Sequence, residues 1–228
     1  MVRKAVALLS GGLDSAVAAA IAASEGYQIY ALTVDYGQRH LRELESAKKI
    51  AEALGAKEHR ILHVDLTGFG GSALTDSRID VPEIRPGKEI GADIPATYVP
   101  ARNTVFLGLG LAWAEALNAD AVFIGAHSVD YSGYPDCRPE FLDAFRRVSA
   151  LGTKRGVEGK PINIEAPLIR MGKREIIERG SSLKVPFGLT WSCYLGREKA
   201  CGRCDSCMIR RNAFAEAGME DPIEYERN

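Results

Sequence analysis

Short apolar runs rich in Val and Ile recur along the chain at Ala5 to Leu9, Ile29 to Val34, Ile61 to Val64, Ala121 to Ile124 and Ile162 to Ile164. Unbroken apolarity over so few residues is the mark of strands covered on both faces. Between the runs the period changes. Leu13 to Ser24 is rich in alanine, and Leu41 to Leu54 places Leu41, Leu44, Ala47, Ala51 and Leu54 on one helical face. Strands alternating with helices predict an α/β fold, a doubly wound and mostly parallel sheet of about five strands. Gly26, Gly55 and Gly180 follow the expected helix ends, where glycine relieves the left-handed turn. Asn103 is placed to cap a helix over Val105 to Leu117 that is apolar on nearly every side. Such a helix is either buried or faces a partner subunit, and a homodimer is the expectation it raises. From Thr67 to Pro100, Gly, Pro, Asp and Ser accumulate without periodicity over a longer stretch than compact domains usually leave as loop. It is either a flap beside a site or a surface excursion.

A chain of 228 residues that is 46% hydrophobic can build one sizeable core with a small appendage, not two full domains. The division expected is 1–185 for the α/β domain and 186–228 for a C-terminal segment packed on it. A formal net charge of -1 gives no bulk attraction for nucleic acid, so no nucleic-acid partner is expected. No stretch approaches the roughly 20 apolar residues that span a bilayer, because Glu115 and Asn118 interrupt the richest one. Met1-Val2-Arg3-Lys4 leads into only five apolar residues before glycines begin, which does not read as a signal peptide. The expectation is a cytoplasmic protein with no membrane partner.

The first chemical motif is Ser10-Gly11-Gly12-Leu13-Asp14-Ser15, between the first strand and the first helix. It has neither the Gly-x-x-x-x-Gly-Lys order of a Walker loop nor the Gly-x-Gly-x-x-Gly of a dinucleotide fold. A glycine turn opening a helix still gathers backbone amides on an anion, and the helix terminus adds positive potential. Ser10 and Ser15 can donate to phosphate oxygens, Gly11 and Gly12 let the backbone come close, and Asp14 can hold Mg2+ against a polyphosphate. The hexapeptide resembles the PP-loop of the ATP pyrophosphatase superfamily, whose members cleave ATP between the α and β phosphates. The resemblance implies ATP as substrate, contacted by Leu8, Leu9, Ser10, Gly11, Gly12, Leu13, Asp14 and Ser15.

The second motif is Cys193-x7-Cys201-x2-Cys204-x2-Cys207. Four thiolates match a closed, structural tetrahedral zinc site, one per chain, and the same ligand set also permits an iron–sulfur cluster. The remaining cysteine, Cys137, lies in Gly133-Tyr134-Pro135-Asp136-Cys137-Arg138, in a polar loop just beyond a strand end. Ligands of open α/β sheets bind at such strand ends. A lone cysteine is more often a small buried apolar residue.

Taken together, Ser10 to Ser15, Val34 to His40, Val99 to Thr104, Ser132 to Arg138, Thr190-Trp191-Ser192-Cys193-Tyr194 and the final cysteines resemble the QueC family of the queuosine pathway over essentially the whole chain. The resemblance implies an adenine nucleotide alpha-hydrolase-like fold with a small C-terminal zinc-binding segment. It implies a C–N ligase that converts 7-carboxy-7-deazaguanine and ammonia into 7-cyano-7-deazaguanine (preQ0), driven by ATP. A carboxylate acylates poorly, so it must first become a mixed anhydride, most economically an adenylate. Ammonia then gives the amide, and a second adenylation in the same site dehydrates the amide to the nitrile. Positioning and charge neutralisation suffice for such steps. Asp14, Arg102 and Lys173 are the expected catalytic clamp, unless either cation is a solvated surface charge. For the substrate, Asp130 or Asp136 can accept adjacent N–H donors, Tyr131 or Tyr134 can stack, Ser132 lies between them, and Arg138 can pair with the carboxylate. His127 is either a base for ammonium or a residue hydrogen-bonded in its loop. Two rivals remain open: a PP-loop tRNA thiolation enzyme, and a noncatalytic ATP-binding zinc module. Length variation is expected at Asp76 to Gly91 and Leu195 to Ala200.

Overall fold

A computed structural model describes residues 2–39, 41–76, 78–81, 94–127 and 133–226. Five strands, β1 (Lys4–Leu8), β2 (Gln28–Asp35), β3 (Glu58–His63), β4 (Ala121–Phe123) and β5 (Asn163–Glu165), form one sheet in the order β3-β2-β1-β4-β5. Every pairing is parallel, with Ala5 opposite both Ile29 and Ala121 in the centre. The helices are α1 (Leu13–Ser24), α2 (Arg42–Ala53), α3 (Arg102–Ala116), α4 (Pro139–Gly152), α5 (Lys173–Ser182) and α6 (Asp205–Glu216), with a single turn Lys154–Val157 after α4.

The alternation within β1 decides which layer lies on which face. Ala5, Ala7 and Leu9 point to a core shared with α1, α2, α5 and α6, and Val6 and Leu8 point to one shared with α3 and α4. Small side chains on the first face let the alanine-rich α1 settle against the sheet with almost its whole surface buried. Such burial on both faces is what the unbroken apolar runs predicted. Between β1 and β4 the winding reverses, because β1 is followed by α1 toward β2, whereas the chain returns from β3 through α3 to β4 on the other side of β1. A crevice opens at the carboxyl ends of strands at such a reversal.

Two local expectations are corrected. The expected cap Asn103 is the second residue of α3, which starts at Arg102 after Ala101 in a left-handed conformation (φ 53). Its amide N–H donates to Asp136 Oδ2 at 2.9 Å, so a carboxylate from another segment caps this end. Gly26 and Gly55 do follow helix ends with positive φ, but Gly180 lies inside α5, whose left-handed exit is Lys184 (φ 57). The glycine is required there by contact: a Cβ would lie 2.5 Å from Phe187 Cζ and 2.7 Å from Val17 Cγ2. The all-round apolar α3 is neither wholly buried nor wholly exposed. Leu107, Gly110, Leu111, Trp113 and Ala114 are buried, and Thr104, Gly108 and Ala112 are exposed.

Candidate active site

A cavity of about 230 Å³ occupies the crevice. Its walls come from the ends of β1 and β4 (Leu8, Leu9, Ile124 to Ala126), the segment after β2 (Val34, Tyr36, Gln38, Arg39), and residues of α2 and α3. Trp191, Ser192 and Tyr194 close it from the C-terminal segment. Leu74 also lines it, and the buried Ser72, Ala73, Thr97 and Val99 hold their segments in place. The described part of Thr67 to Pro100 therefore reaches the site through Leu74. The remainder, 77 and 82–93, lies outside the described residues.

The Ser10 to Ser15 loop is tied to itself. Ser15 Oγ donates to Gly12 O at 2.9 Å and accepts the Ser10 N–H at 3.2 Å, and the two serine hydroxyls are 3.1 Å apart. Ser10 Oγ accepts the Gly12 N–H at 3.2 Å. The buried Ser15 thus sets the shape of the turn, while the exposed Ser10 faces the cavity. Gly11 has φ 92, and a Cβ there would lie 2.1 Å from Glu43 O, so the first turn of α2 packs directly on the loop. Gly11 O accepts the Trp191 N–H at 2.9 Å, which joins the loop to the C-terminal segment.

Asp14 sits at the mouth of α1. Lys173, the first residue of α5, donates to its Oδ2 at 2.7 Å, and His127 Nε2 approaches the same oxygen at 3.6 Å. Burial alone raises the Asp14 carboxyl, but the charges and hydrogen bonds of Lys173 and His127 overcome it and hold the group well below the usual carboxylate range. Asp14 Oδ1 is buried and makes no hydrogen bond among the described residues. An orphaned anionic oxygen beside a phosphate-shaped loop fits a divalent cation.

Across the cavity, Arg102 lies over the rings of Tyr36 and Phe106 at 5.7 and 5.8 Å. Burial opposes its charge, yet Tyr36, Cys137, Asp136 and Tyr134 keep the guanidinium protonated beyond its ordinary value. Glu43 is the other acid lining the cavity among the described residues. Burial pushes its carboxyl up to about 7, with the Arg102 charge pulling it down and Cys193 adding to the rise.

The structure gathers most of the expected residues here and separates others. Leu8 to Ser15 and Arg102 line or border the cavity, and Lys173 reaches it through Asp14. Tyr134 lines it, and its hydroxyl is 3.0 Å from Thr97 Oγ1. Asp136 is buried behind it, bonded to the start of α3, and Asn103 Nδ2 donates to Asp136 O and Cys137 Sγ, both at 3.1 Å. Burial raises the Asp136 carboxyl, against the Asn103 amide and Arg102. Cys137 lines the cavity, whereas Arg138 is exposed on a separate surface with Pro139 and Phe141. Asp130, Tyr131 and Ser132 lie outside the described residues. Sequence reasoning missed Glu43 and Ser206, and it quoted Tyr36 and Trp191 without giving them a role. No local pattern marks Glu43, which sits among the ordinary charges of an amphipathic helix.

The four C-terminal cysteines converge, all buried, with their sulfurs within 4.8 Å of one another. Cys193 Sγ accepts the Cys201 and Leu195 amides at 3.4 and 3.5 Å, and Cys201 Sγ accepts the Cys204 amide at 3.3 Å. Amides aimed at sulfur stabilise thiolates, so the donor set fits a closed tetrahedral metal site. Beside it the buried Arg210 forks onto Asp221 at 2.8 and 2.9 Å and donates to Thr190 Oγ1 at 2.7 Å.

Comparison with known proteins bears on the whole chain. A family model described as "Queuosine biosynthesis protein QueC" matches residues 4–218. The 7-cyano-7-deazaguanine synthase of Anaeromyxobacter dehalogenans is 55% identical over 226 residues, 99% of this chain and 97% of that protein. The synthase of Trichodesmium erythraeum is 57% identical over 220 residues, 96% of this chain and 99% of its own length. Among solved structures, the NMN synthetase of Francisella tularensis aligns with a TM-score of 0.52 at 18% identity, covering 96% of this chain and 79% of that one. That likeness is one of fold alone.

Proposed function

The chain belongs to the QueC family, and from that membership we propose that it is an ATP-dependent C–N ligase that converts 7-carboxy-7-deazaguanine and ammonia into 7-cyano-7-deazaguanine. The observation that carries the reading within the structure is a single cavity that joins the Ser10 to Ser15 cradle to a cationic, aromatic wall of Arg102, Tyr36, Phe106 and Tyr134. The amides at the start of α1 and the Ser10 hydroxyl hold the phosphates of ATP. Lys173 neutralises charge that builds on the departing pyrophosphate, and Arg102 holds the substrate carboxylate against the α-phosphorus. Mg2+, when bound, is held by Asp14 and neutralises the polyphosphate. Tyr134 stacks on the deazapurine. Adenylation of the carboxylate, displacement by ammonia, then adenylation and dehydration of the amide proceed in this one site. Asp136 acts by fixing the start of α3, and with it Arg102, instead of touching substrate.

The four cysteines hold one structural Zn2+, since four thiolates leave no open position for chemistry. A cytoplasmic enzyme is part of this reading, supported by the four unpaired thiols and by ATP as substrate, and so is a homodimer formed through the exposed small face of α3. The test is incubation of the purified protein with Mg-ATP, ammonium and 7-carboxy-7-deazaguanine. The nitrile and AMP are expected as products. Absence of the nitrile sinks the assignment, and ADP in place of AMP sinks the adenylate route alone.

A further inference from the structure

The adenylation chemistry above leaves one requirement without an owner. Nitrogen arrives as ammonium, which has no lone pair to attack with, and every N–H bond of the product amide must be lost to make a nitrile. Something in the cavity has to accept protons from nitrogen. Among the described residues two acids line the cavity, Asp14 and Glu43. Asp14 is held as a low-pKa anion by Lys173 and His127, which suits charge neutralisation and not proton uptake. Asp136 lies behind the wall on the Asn103 amide, and His127, buried with its Nε2 turned to Asp14, does not line the cavity.

Glu43 differs from both. It makes no hydrogen bond and no ion pair among the described residues, although it faces Arg102 from α3, Tyr36 from the end of β2 and, from the C-terminal segment, Cys193. Its place is at the reacting end of the cavity. Its own backbone oxygen packs on Gly11 of the phosphate loop, and its side chain shares a wall with the guanidinium assigned to the substrate carboxylate.

Resting on the ligase reading, we propose that Glu43 is the catalytic base that takes protons from the nitrogen nucleophile. In the first step the Glu43 carboxylate removes a proton from ammonium and the freed lone pair attacks the acyl carbon. The C–N bond forms, and the C–O bond to the α-phosphate breaks, its electron pair leaving with AMP. The excess proton on the new nitrogen passes to the released phosphate. Glu43 gives the proton it took from ammonium to solvent before the second step; there, once the amide oxygen is adenylated and one N–H proton has been lost to solvent, Glu43 takes the last N–H proton. That electron pair becomes the third C–N bond as the C–O bond breaks and AMP leaves again. No oxidant or further reactant is needed.

The experiment compares Glu43→Gln with the unaltered enzyme using ammonium and using hydroxylamine, an amine that is unprotonated at neutral pH and needs no base before attack. Glu43→Gln is expected to retain ATP–pyrophosphate exchange dependent on 7-carboxy-7-deazaguanine. Amide formation from ammonium should fall about 10² to 10³-fold, while hydroxylamine trapping stays within a few-fold of the unaltered enzyme. Loss of exchange, or equal loss with both amines, would overturn the proposal and make Glu43 a substrate-holding group. The unaltered enzyme gives an independent reading that needs no folded variant. At fixed total ammonium its rate should level off below the pKa of ammonium instead of climbing in step with free ammonia; a rate that keeps climbing with free ammonia also overturns it. Failure of the unaltered enzyme to make any product would instead count against the ligase reading.

Discussion

At the scale of single residues, the cavity drives two carboxyl groups in opposite directions. Asp14 gains a lysine and a histidine and stays ionised, and Glu43 is half-buried with too little compensation and holds its proton to about pH 7. Asp14 is legible in the sequence because strand, glycine turn, acid and helix are contiguous. Glu43 is not, because its role depends on where α2 docks. Its folded pKa of about 7 lies above the reference 4.5, so the folded state binds the proton more tightly. Stability is therefore fully present below about 4.5 and declines as pH rises through about 7. Glu43→Gln should raise the melting temperature at pH 8 and change it little at pH 4, as calorimetry at the two pH values will show. Lys173→Met should leave the circular dichroism spectrum unchanged and lower kcat by about 10²-fold, since it removes one donor from developing phosphate charge.

At the scale of elements, β1, α1 and β2 follow from local pattern, and their ends move by a residue or so. Expectations failed where an element is shaped by its neighbours. Gly180 reads as a helix stop, yet it is the point at which α5 meets Val17 of α1 and Phe187. Helix propensity favours alanine there by roughly 0.5 to 1 kcal/mol, but the Cβ has no room. We expect Gly180→Ala to destabilise the protein by about 1 to 3 kcal/mol, the cost of overpacking a core; a urea midpoint above that of the parent would contradict this. Asn103 was misread for a related reason. Its capping chemistry is genuine, but α3 is closed by Asp136, from a segment more than thirty residues on.

For the whole molecule, the C-terminal segment is more than an appendage to the α/β layers. Phe187 and Phe214 enter the core beside α1, Arg210 and Asp221 fasten the last helix, and the Trp191 amide holds Gly11 of the phosphate loop. Stripping the metal proposed for the four cysteines with a chelator should therefore do more than loosen the cysteines. Hydrogen exchange at residues 187–226 and at Gly11 to Ser15 should accelerate together, and ATP affinity should fall. Acceleration confined to the cysteine loop would refute this coupling.

The sequence by itself determined the alternation of strands and helices, the phosphate-shaped turn and the four-sulfur set. All of these are written in residues close together along the chain, where periodicity, conformational freedom and ligand spacing act locally. Only the tertiary structure decided that Asp136 supports a helix behind the cavity wall, that Arg138 lies on a separate surface, that Gly180 is a packing contact, and that Glu43 is an acid in the cavity left unpaired among the described residues. These depend on distance through space, on burial, and on which charge faces which, quantities that exist only once the layers have closed around the crevice.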